Sequence, residues 1–164
     1  ARPEIVWRYV TDIDLPGRFS EEFEGASWNE PDRQPGVGAT FTGRNTHPAV
    51  GQWTTTCHVA EWDEPRAYAW HVGDPEHSAA RWRFVIEKVP GGSRLRFHVR
   101  LGPGPSGLTP AIEAMPDKEP AIVARRQSEH RANMARTVAG IKELAEAEAA
   151  GATKPDSGFP GLRG

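Results

Sequence analysis

The sequence predicts an α+β fold, in which one antiparallel sheet of six to seven strands packs against a single long C-terminal helix. Two observations predict it. Between residues 23 and 101, apolar and polar side chains alternate with period two over six segments separated by turn residues. From residue 119 to residue 150 the pattern changes to the 3.6-residue period of a helix. A chain of 164 residues, 37% of them hydrophobic, can bury one core of this kind but not two.

Two short helices are expected before the sheet. The first covers residues 3–12, where Pro3 suits a first helical turn. The second covers residues 15–22, with Asp14 as its cap and Pro16 in its first turn. The strands that follow are predicted at residues 23–30, 38–46, 51–62, 66–73, 79–89 and 93–101.

The rest of the chain divides at its glycines and prolines. Residues 102–118 are a Gly/Pro-rich connection, and residues 151–164 are expected to form a flexible tail, so the domain spans residues 1–150. The connection spells GxGxxG, but Pro103 and Pro105 remove backbone amides that a dinucleotide phosphate would need. We therefore expect no cofactor.

Composition excludes several classes of function. The net charge of −2 and pI of about 6.3 argue against a nucleic-acid partner. Cys57 is the only cysteine, which predicts a reduced, cytoplasmic protein. No apolar run approaches the ~18 residues of a membrane span. The six histidines lack the spacing of a metal site, so no metal is expected.

The strands predict two faces of opposite character. One register carries aromatic side chains that would line a pocket or fill a core: Phe41, Trp53, Tyr68, Trp70, Trp82, Phe84 and Phe97. The other register carries arginines: Arg81, Arg83, Arg94, Arg96 and Arg100. A solvated face interleaved with acids is the preferred interpretation of these arginines, and an anionic partner is the alternative.

The long helix predicts one buried stripe that is apolar at its C-terminal end and partly polar at its N-terminal end. Its members fall within roughly 80° of one another on the helical wheel: Val123, Gln127, His130, Met134, Val138, Ile141 and Ala145. Gln127, His130 and Met134 are therefore expected to face the aromatic register.

Three segments carry a family resemblance: PEIVWRYVTDIDLPGRFS near the start, the PGG turn at 90–92, and RANMARTVAGIKELAE at 131–146. Together with the order of elements, they resemble the SRPBCC or START-like superfamily, which includes polyketide cyclases/dehydrases. The resemblance implies a helix-grip fold, with a curved sheet wrapped around the long helix and a cavity for a hydrophobic small molecule.

The sequence departs from that family in two places. The family's first strand is absent before Ala1, so we expect an open sheet edge and a longer form of greater stability. The family's aromatic cyclases carry a tyrosine soon after an F-S-E segment, whereas this chain continues from Phe19-Ser20-Glu21 to Glu22 and Phe23. The missing hydroxyl argues against cyclase chemistry.

Three functions remain open. A cyclase or dehydrase would need a proton acceptor, for which His130 is the candidate, and an enolate donor, for which Asn45 and Tyr68 are candidates. Arg44 is a further candidate donor, but strict alternation turns it outward. The second possibility is a non-catalytic module that binds a lipid or an aromatic metabolite. The third is an interaction subunit that uses the open sheet edge, as in a homodimer.

Overall fold

The computed structural model describes residues 1–152. Two 3-10 turns, Leu15–Arg18 and Pro116–Lys118, precede the first strand and the last helix. The helices are α1 (Pro3–Val10), α2 (Thr109–Ala114) and α3 (Glu119–Ala152). The strands are β1 (Phe23–Trp28), β2 (Thr40–His47), β3 (Gly51–Asp63), β4 (Ala67–Val72), β5 (Ala80–Val89) and β6 (Gly92–Leu101).

The six strands form one curved antiparallel sheet in sequence order, β1 to β6. Each strand pairs with the next because short turns join them and the alternating pattern gives all of them one apolar face. The concave face lies toward α1 and α3, and the convex face carries the charged residues. The predicted α+β helix-grip fold is confirmed.

One irregularity in β3 keeps an aromatic residue on the concave face. Val59 pairs with Trp70, but the register then shifts, so that Glu61 pairs with Ala69 and Trp62 pairs with Tyr68. Strict alternation from Val59 would have turned Glu61 inward. The bulge instead places the carboxylate on the convex face and the indole in the core.

Helix α1 packs on the concave face through an aromatic contact. The ring of Trp7 meets that of Trp62 edge-on, with 5.3 Å between centroids. On the same face, Phe84 stacks on Phe97 at 3.9 Å, and Phe84 is among the most completely buried side chains. Trp7 and Phe84 thus belong to one hydrophobic core, against which Trp62 and Phe97 pack.

Specific contacts attach α3 to the elements before the sheet. Gly140 lies so close to the Phe19 ring that a Cβ there would overlap it. The Arg136 guanidinium donates to the Phe19 carbonyl (3.1 Å), and the Tyr9 hydroxyl donates to Glu148 (2.8 Å). The helix is consequently fixed at its middle and at its C-terminal end.

Three boundaries differ from the expectation. The second helical segment stops at Arg18, because the Ser20 hydroxyl accepts the amides of Glu22 and Phe23. The connection at 102–118 was expected to be irregular, yet it contains α2, whose Pro110 is tolerated in the first turn. Helix α3 includes residues 151 and 152, and the remainder of the predicted tail lies outside the described residues.

Through residue 152, the chain contains no helix with the length and apolar character that crossing a membrane requires.

Candidate ligand-binding site

The aromatic register converges on Trp70. Its ring lies 5.0 Å, centroid to centroid, from that of Tyr68 and 6.1–6.3 Å from those of four further neighbours: Phe41, Trp82, Phe84 and Phe97. The structure thus brings together six of the side chains that alternation assigned to this face. Trp53 shares the face but lies farther along β3, where it pairs with Asn45 and makes no ring contact among residues 1–152.

These side chains are unequally buried. Phe41, Tyr68 and Phe84 are buried, but Trp53, Trp70, Trp82 and Phe97 remain partly exposed on the sheet, as does Met134 on α3. We call the partly exposed aromatic surface beside His130, which Trp82 contacts, the aromatic cleft. A hydrophobic molecule placed there would remove apolar surface from water.

His130 lies on the helix side of this cleft. It is 8% exposed, and its ring stands edge-on to Trp82 at 5.0 Å between centroids. Burial, followed by the charge of Arg126, lowers its pKa to about 4, although Glu22 and Glu129 oppose the shift. The imidazole is therefore neutral at pH 7, and its ring nitrogens have no hydrogen-bond partner in the described part of the chain.

Tyr68 lies on the sheet side and is 2% exposed. Its ring packs between Trp62 and Trp70, with centroids at 5.3 and 5.0 Å. The hydroxyl is buried and has no hydrogen-bond partner within residues 1–152. Burial raises its pKa, with a smaller contribution from Cys57, so it stays protonated. A buried hydroxyl without a hydrogen-bond partner lowers the stability of a folded protein by on the order of 1–3 kcal/mol.

A short line of polar groups crosses β2 and β3 near this hydroxyl. The Asn45 amide donates to Thr55 Oγ1 (3.5 Å), and Thr55 Oγ1 lies 3.9 Å from Cys57 Sγ. Burial raises the pKa of the Cys57 thiol to about 12. Cys57 is therefore an unreactive thiol, and Asn45 and Thr55 already partner each other.

Gln127 does not lie on the buried side of α3, contrary to the expectation from the helical wheel. It is exposed, and the inward position is taken by Arg126. The two residues flank His130 on the wheel at similar angles. The side of α3 that carries Arg126 faces the protein, because the Arg126 guanidinium binds both carboxylate oxygens of Glu22 and also donates to Glu129 at 3.3 Å.

Arg44 points away from the cleft, as alternation predicts. Its guanidinium lies on the convex side, 3.5 Å from Asp14 and 3.2 Å from the Ser27 hydroxyl. The remaining candidate polar groups of the cleft are Asn45, Tyr68 and His130.

The residues around the cleft mouth were not identified from the sequence. Besides the Glu22–Arg126 pair, His47 Nε2 lies 3.8 Å from Glu129, which connects the β2–β3 turn to α3. The i,i+3 spacing of Arg126 and Glu129 is a local signal that a search for helix pairs could have found. Nothing local marks Glu22 or His47.

The convex face is a solvated charged surface. Arg81 and Arg83 pair with Glu61, while Arg94 and Arg96 share Glu87. Acids thus interleave with four of the five arginines of this register, as the preferred interpretation predicts.

Two depressions in the described part of the chain lie away from the aromatic cleft. A groove of about 540 Å³ lies beside the β3–β4 turn, where Asp63 pairs with Arg66. A smaller pocket of about 170 Å³ separates β6 from the C-terminal half of α3, next to Leu95 and Ile141. Within residues 1–152 no three His, Cys, Asp or Glu side chains are grouped as metal ligands.

Comparison with known proteins agrees with this architecture. Residues 1–141 match the family described as polyketide cyclase / dehydrase and lipid transport. No curated protein sequence matches the chain.

Solved structures share the fold. A Polyketide_cyc-like protein from Corynebacterium glutamicum, determined by NMR, is 25% identical with a TM-score of 0.62, over 94% of this chain and 91% of that one. Protein NE0264 from Nitrosomonas europaea is 12% identical with a TM-score of 0.61, over 92% and 90%. The di-domain ARO/CYC BexL from the BE-7585A biosynthetic pathway is 14% identical with a TM-score of 0.63. That alignment covers 89% of this chain and 47% of BexL, so the chain spans about half of its length.

Proposed function

Since the chain belongs to the polyketide cyclase / dehydrase and lipid transport family, we propose that it binds a hydrophobic small molecule between the concave face and α3. The observation that carries this proposal is His130, a neutral imidazole without a hydrogen-bond partner in the described chain, set against Trp82 in an aromatic cleft. A ligand with a polar group would give this imidazole a partner, and its apolar body would cover the rings.

Burial of the aromatic surface would contribute to the affinity for an apolar ligand. At roughly 25 cal/mol per Å² of apolar area removed from water, covering about 40 Å² of one ring contributes about 1 kcal/mol. Trp70, Trp82 and Phe97 are all partly exposed and lie within 6.3 Å of one another, centroid to centroid. A flat or extended apolar molecule can cover all three at once.

Catalysis of a cyclisation or dehydration is the second candidate. It is favoured by the Tyr68 hydroxyl, which is buried without a partner in the described chain, and by the polar side chains of His130 and Asn45. Two observations rank it below binding. A pKa of about 4 makes His130 a weak proton acceptor, and Phe23, which lies against Gly43, has no hydroxyl to contribute. A cytoplasmic location stays a prediction.

The direct test is native mass spectrometry of the protein purified from its producing cells without organic solvent. We expect a discrete added mass that is lost on denaturation. The proposal would be contradicted if repeated preparations contained no bound small molecule and the protein also failed to bind an apolar fluorescent probe saturably.

A probe titration locates the site. N-phenyl-1-naphthylamine should bind saturably and quench tryptophan fluorescence. The substitution Trp82→Leu should weaken binding at least fivefold, because that indole forms part of the cleft wall beside His130. The matched control is Val85→Leu, on the same strand in the convex register, which should bind as the wild type does. Equal effects of the two substitutions would place the probe elsewhere.

A further inference from the structure

We propose that Tyr68 selects the ligand, because its buried hydroxyl donates a hydrogen bond to an uncharged oxygen acceptor, such as a carbonyl or ether, at the buried end of the molecule. This inference rests on the proposed function, since it concerns the same cleft. It adds the chemical class of the ligand and a residue that determines specificity.

The Tyr68 hydroxyl has no structural use in the described chain. The Tyr68 ring is surrounded by Trp62, Trp70 and the cross-strand residue Phe84, all of which would pack equally well against phenylalanine. The oxygen is buried and without a partner within residues 1–152. Its hydrogen-bonding capacity is recovered when a further molecule occupies the cleft.

The Tyr68 hydroxyl is available as a donor. Burial raises the pKa of Tyr68, so the proton is retained. The polar side chains on the adjacent strands, Asn45, Thr55 and Cys57, contact one another and do not accept this proton. A carbonyl or ether oxygen of the bound molecule satisfies this donor.

The acceptor carries no charge. A carboxylate buried beside Tyr68 would need a cation, and none is free near the cleft in the described residues. The Arg126 guanidinium is bound by Glu22 and Glu129, Arg44 lies on the convex side, and His130 is neutral at pH 7. Burying an unpaired carboxylate is strongly unfavourable, so a fatty acid cannot place its charged end here.

Three probes with one aromatic body test this: 2-acetylnaphthalene, 2-ethylnaphthalene and 2-naphthoate, titrated by tryptophan quenching at pH 7. The wild type should bind the ketone at least fivefold more tightly than the ethyl compound, and the carboxylate most weakly. In Tyr68→Phe the affinity for the ketone should fall to within twofold of that for the ethyl compound, whose own affinity should not change. The unliganded variant should melt at the wild-type temperature or above it.

The matched control is Tyr9→Phe. The Tyr9 hydroxyl donates to Glu148, far from the cleft, so this variant should keep the preference for the ketone while losing some stability.

The outcomes separate the two proposals. Absence of binding by all three probes would overturn the proposed function and this inference with it. Binding of the probes with an unchanged ketone preference in Tyr68→Phe would overturn the inference alone. A Tyr68→Phe variant that melts earlier and loses all three probes equally would make the hydroxyl structural, which also overturns the inference.

Discussion

At position 130 the chain places an ionisable side chain where an apolar one would pack at lower cost. The His130 ring is 8% exposed and meets Trp82 edge-on, with Arg126 nearby as a like charge to any imidazolium. Desolvation and that arginine both disfavour the protonated form, and the carboxylates of Glu22 and Glu129 offset them in part. The folded state therefore holds a neutral imidazole over a wider pH range than the unfolded chain does.

This difference predicts acid sensitivity. The pKa of His130 is about 4 in the folded protein and 6.5 ordinarily. Between these values the unfolded chain binds a proton that the folded chain does not, so the free energy of unfolding falls as pH drops from 6.5 to 4. Linkage gives a loss of about 2 kcal/mol at pH 5. Urea unfolding at pH 7 and pH 5 should show a smaller loss for His130→Leu than for the wild type.

The control is Met134→Leu, one turn farther along α3, which removes no titratable group and should keep the wild-type pH dependence. Identical pH dependence in wild type and His130→Leu would show that His130 binds its proton equally in both states.

At the scale of elements, α3 depends on a few specific contacts, because much of its surface is alanine and charged residues. Its middle approaches the chain before β1 at Gly140, and a partly buried ion pair holds its N-terminal half at Arg126. These two attachments position His130 over the sheet, since that residue lies between them on the helix.

Gly140→Ala should destabilise the protein, although glycine to alanine in a helix ordinarily stabilises by up to ~1 kcal/mol. The added Cβ overlaps the Phe19 ring, and relieving such overpacking costs roughly 1–3 kcal/mol. Thermal melting measures the change. The control is Gly151→Ala in the same helix, where a Cβ meets nothing within 4 Å and the substitution should be neutral or stabilising. The prediction is wrong if both variants gain stability.

Glu22→Gln should also destabilise the protein. Glu22 binds the Arg126 guanidinium through both oxygens, and the two side chains are 13% and 18% exposed. A neutral amide cannot replace that charge, and losing charge-assisted hydrogen bonds costs roughly 1–3 kcal/mol. Urea unfolding should show this loss. Glu143→Gln, on the exposed side of the helix, should change stability little, and a comparable loss there would assign the effect to net charge instead.

At the scale of the molecule, charge is distributed unevenly between the two faces of the sheet. The chain carries −2 overall, yet the convex face is rich in arginine. Among residues 1–152, β6 pairs with no strand other than β5; Ala1 lies against its first residues, Gly92 and Ser93, and beyond them its outer edge is unpaired. If two β6 edges paired antiparallel, their arginines would meet across the new ladder. Such repulsion is a recognised protection against edge-to-edge association.

Removing that repulsion should promote self-association. The triple variant Arg94→Thr/Arg96→Thr/Arg100→Thr should show a concentration-dependent rise in mass by light scattering, relative to the wild type. The control triple variant, Arg18→Thr/Arg125→Thr/Arg131→Thr, removes three exposed positive charges away from the edge and should stay at the wild-type mass. Association of both variants would implicate net charge, and association of neither would show that the edge is protected in another way.

The local patterns of the sequence determined the architecture. Period-two alternation is a property of neighbouring residues, and short turns make each strand pair with the next, so six strands and their concave register were predictable within a few residues. The contacts of Trp70 with Phe41, Trp82, Phe84 and Phe97 follow from that register. The long helix was equally predictable, because its period extends over many turns.

The tertiary structure decided the details of the site. On a helical wheel, Gln127 and Arg126 lie at similar angles on either side of His130. The carboxylate of Glu22, 104 residues from Arg126 in sequence, determines which of these two side chains faces the protein. The bulge that turns Trp62 inward depends on where β3 meets β4. Nor does any local pattern indicate that the Tyr68 hydroxyl lacks a partner in the described chain. Periodicity reports which face a residue occupies. The hydrogen-bonding partners of a buried polar group lie on residues distant in sequence, and only folding brings those residues together.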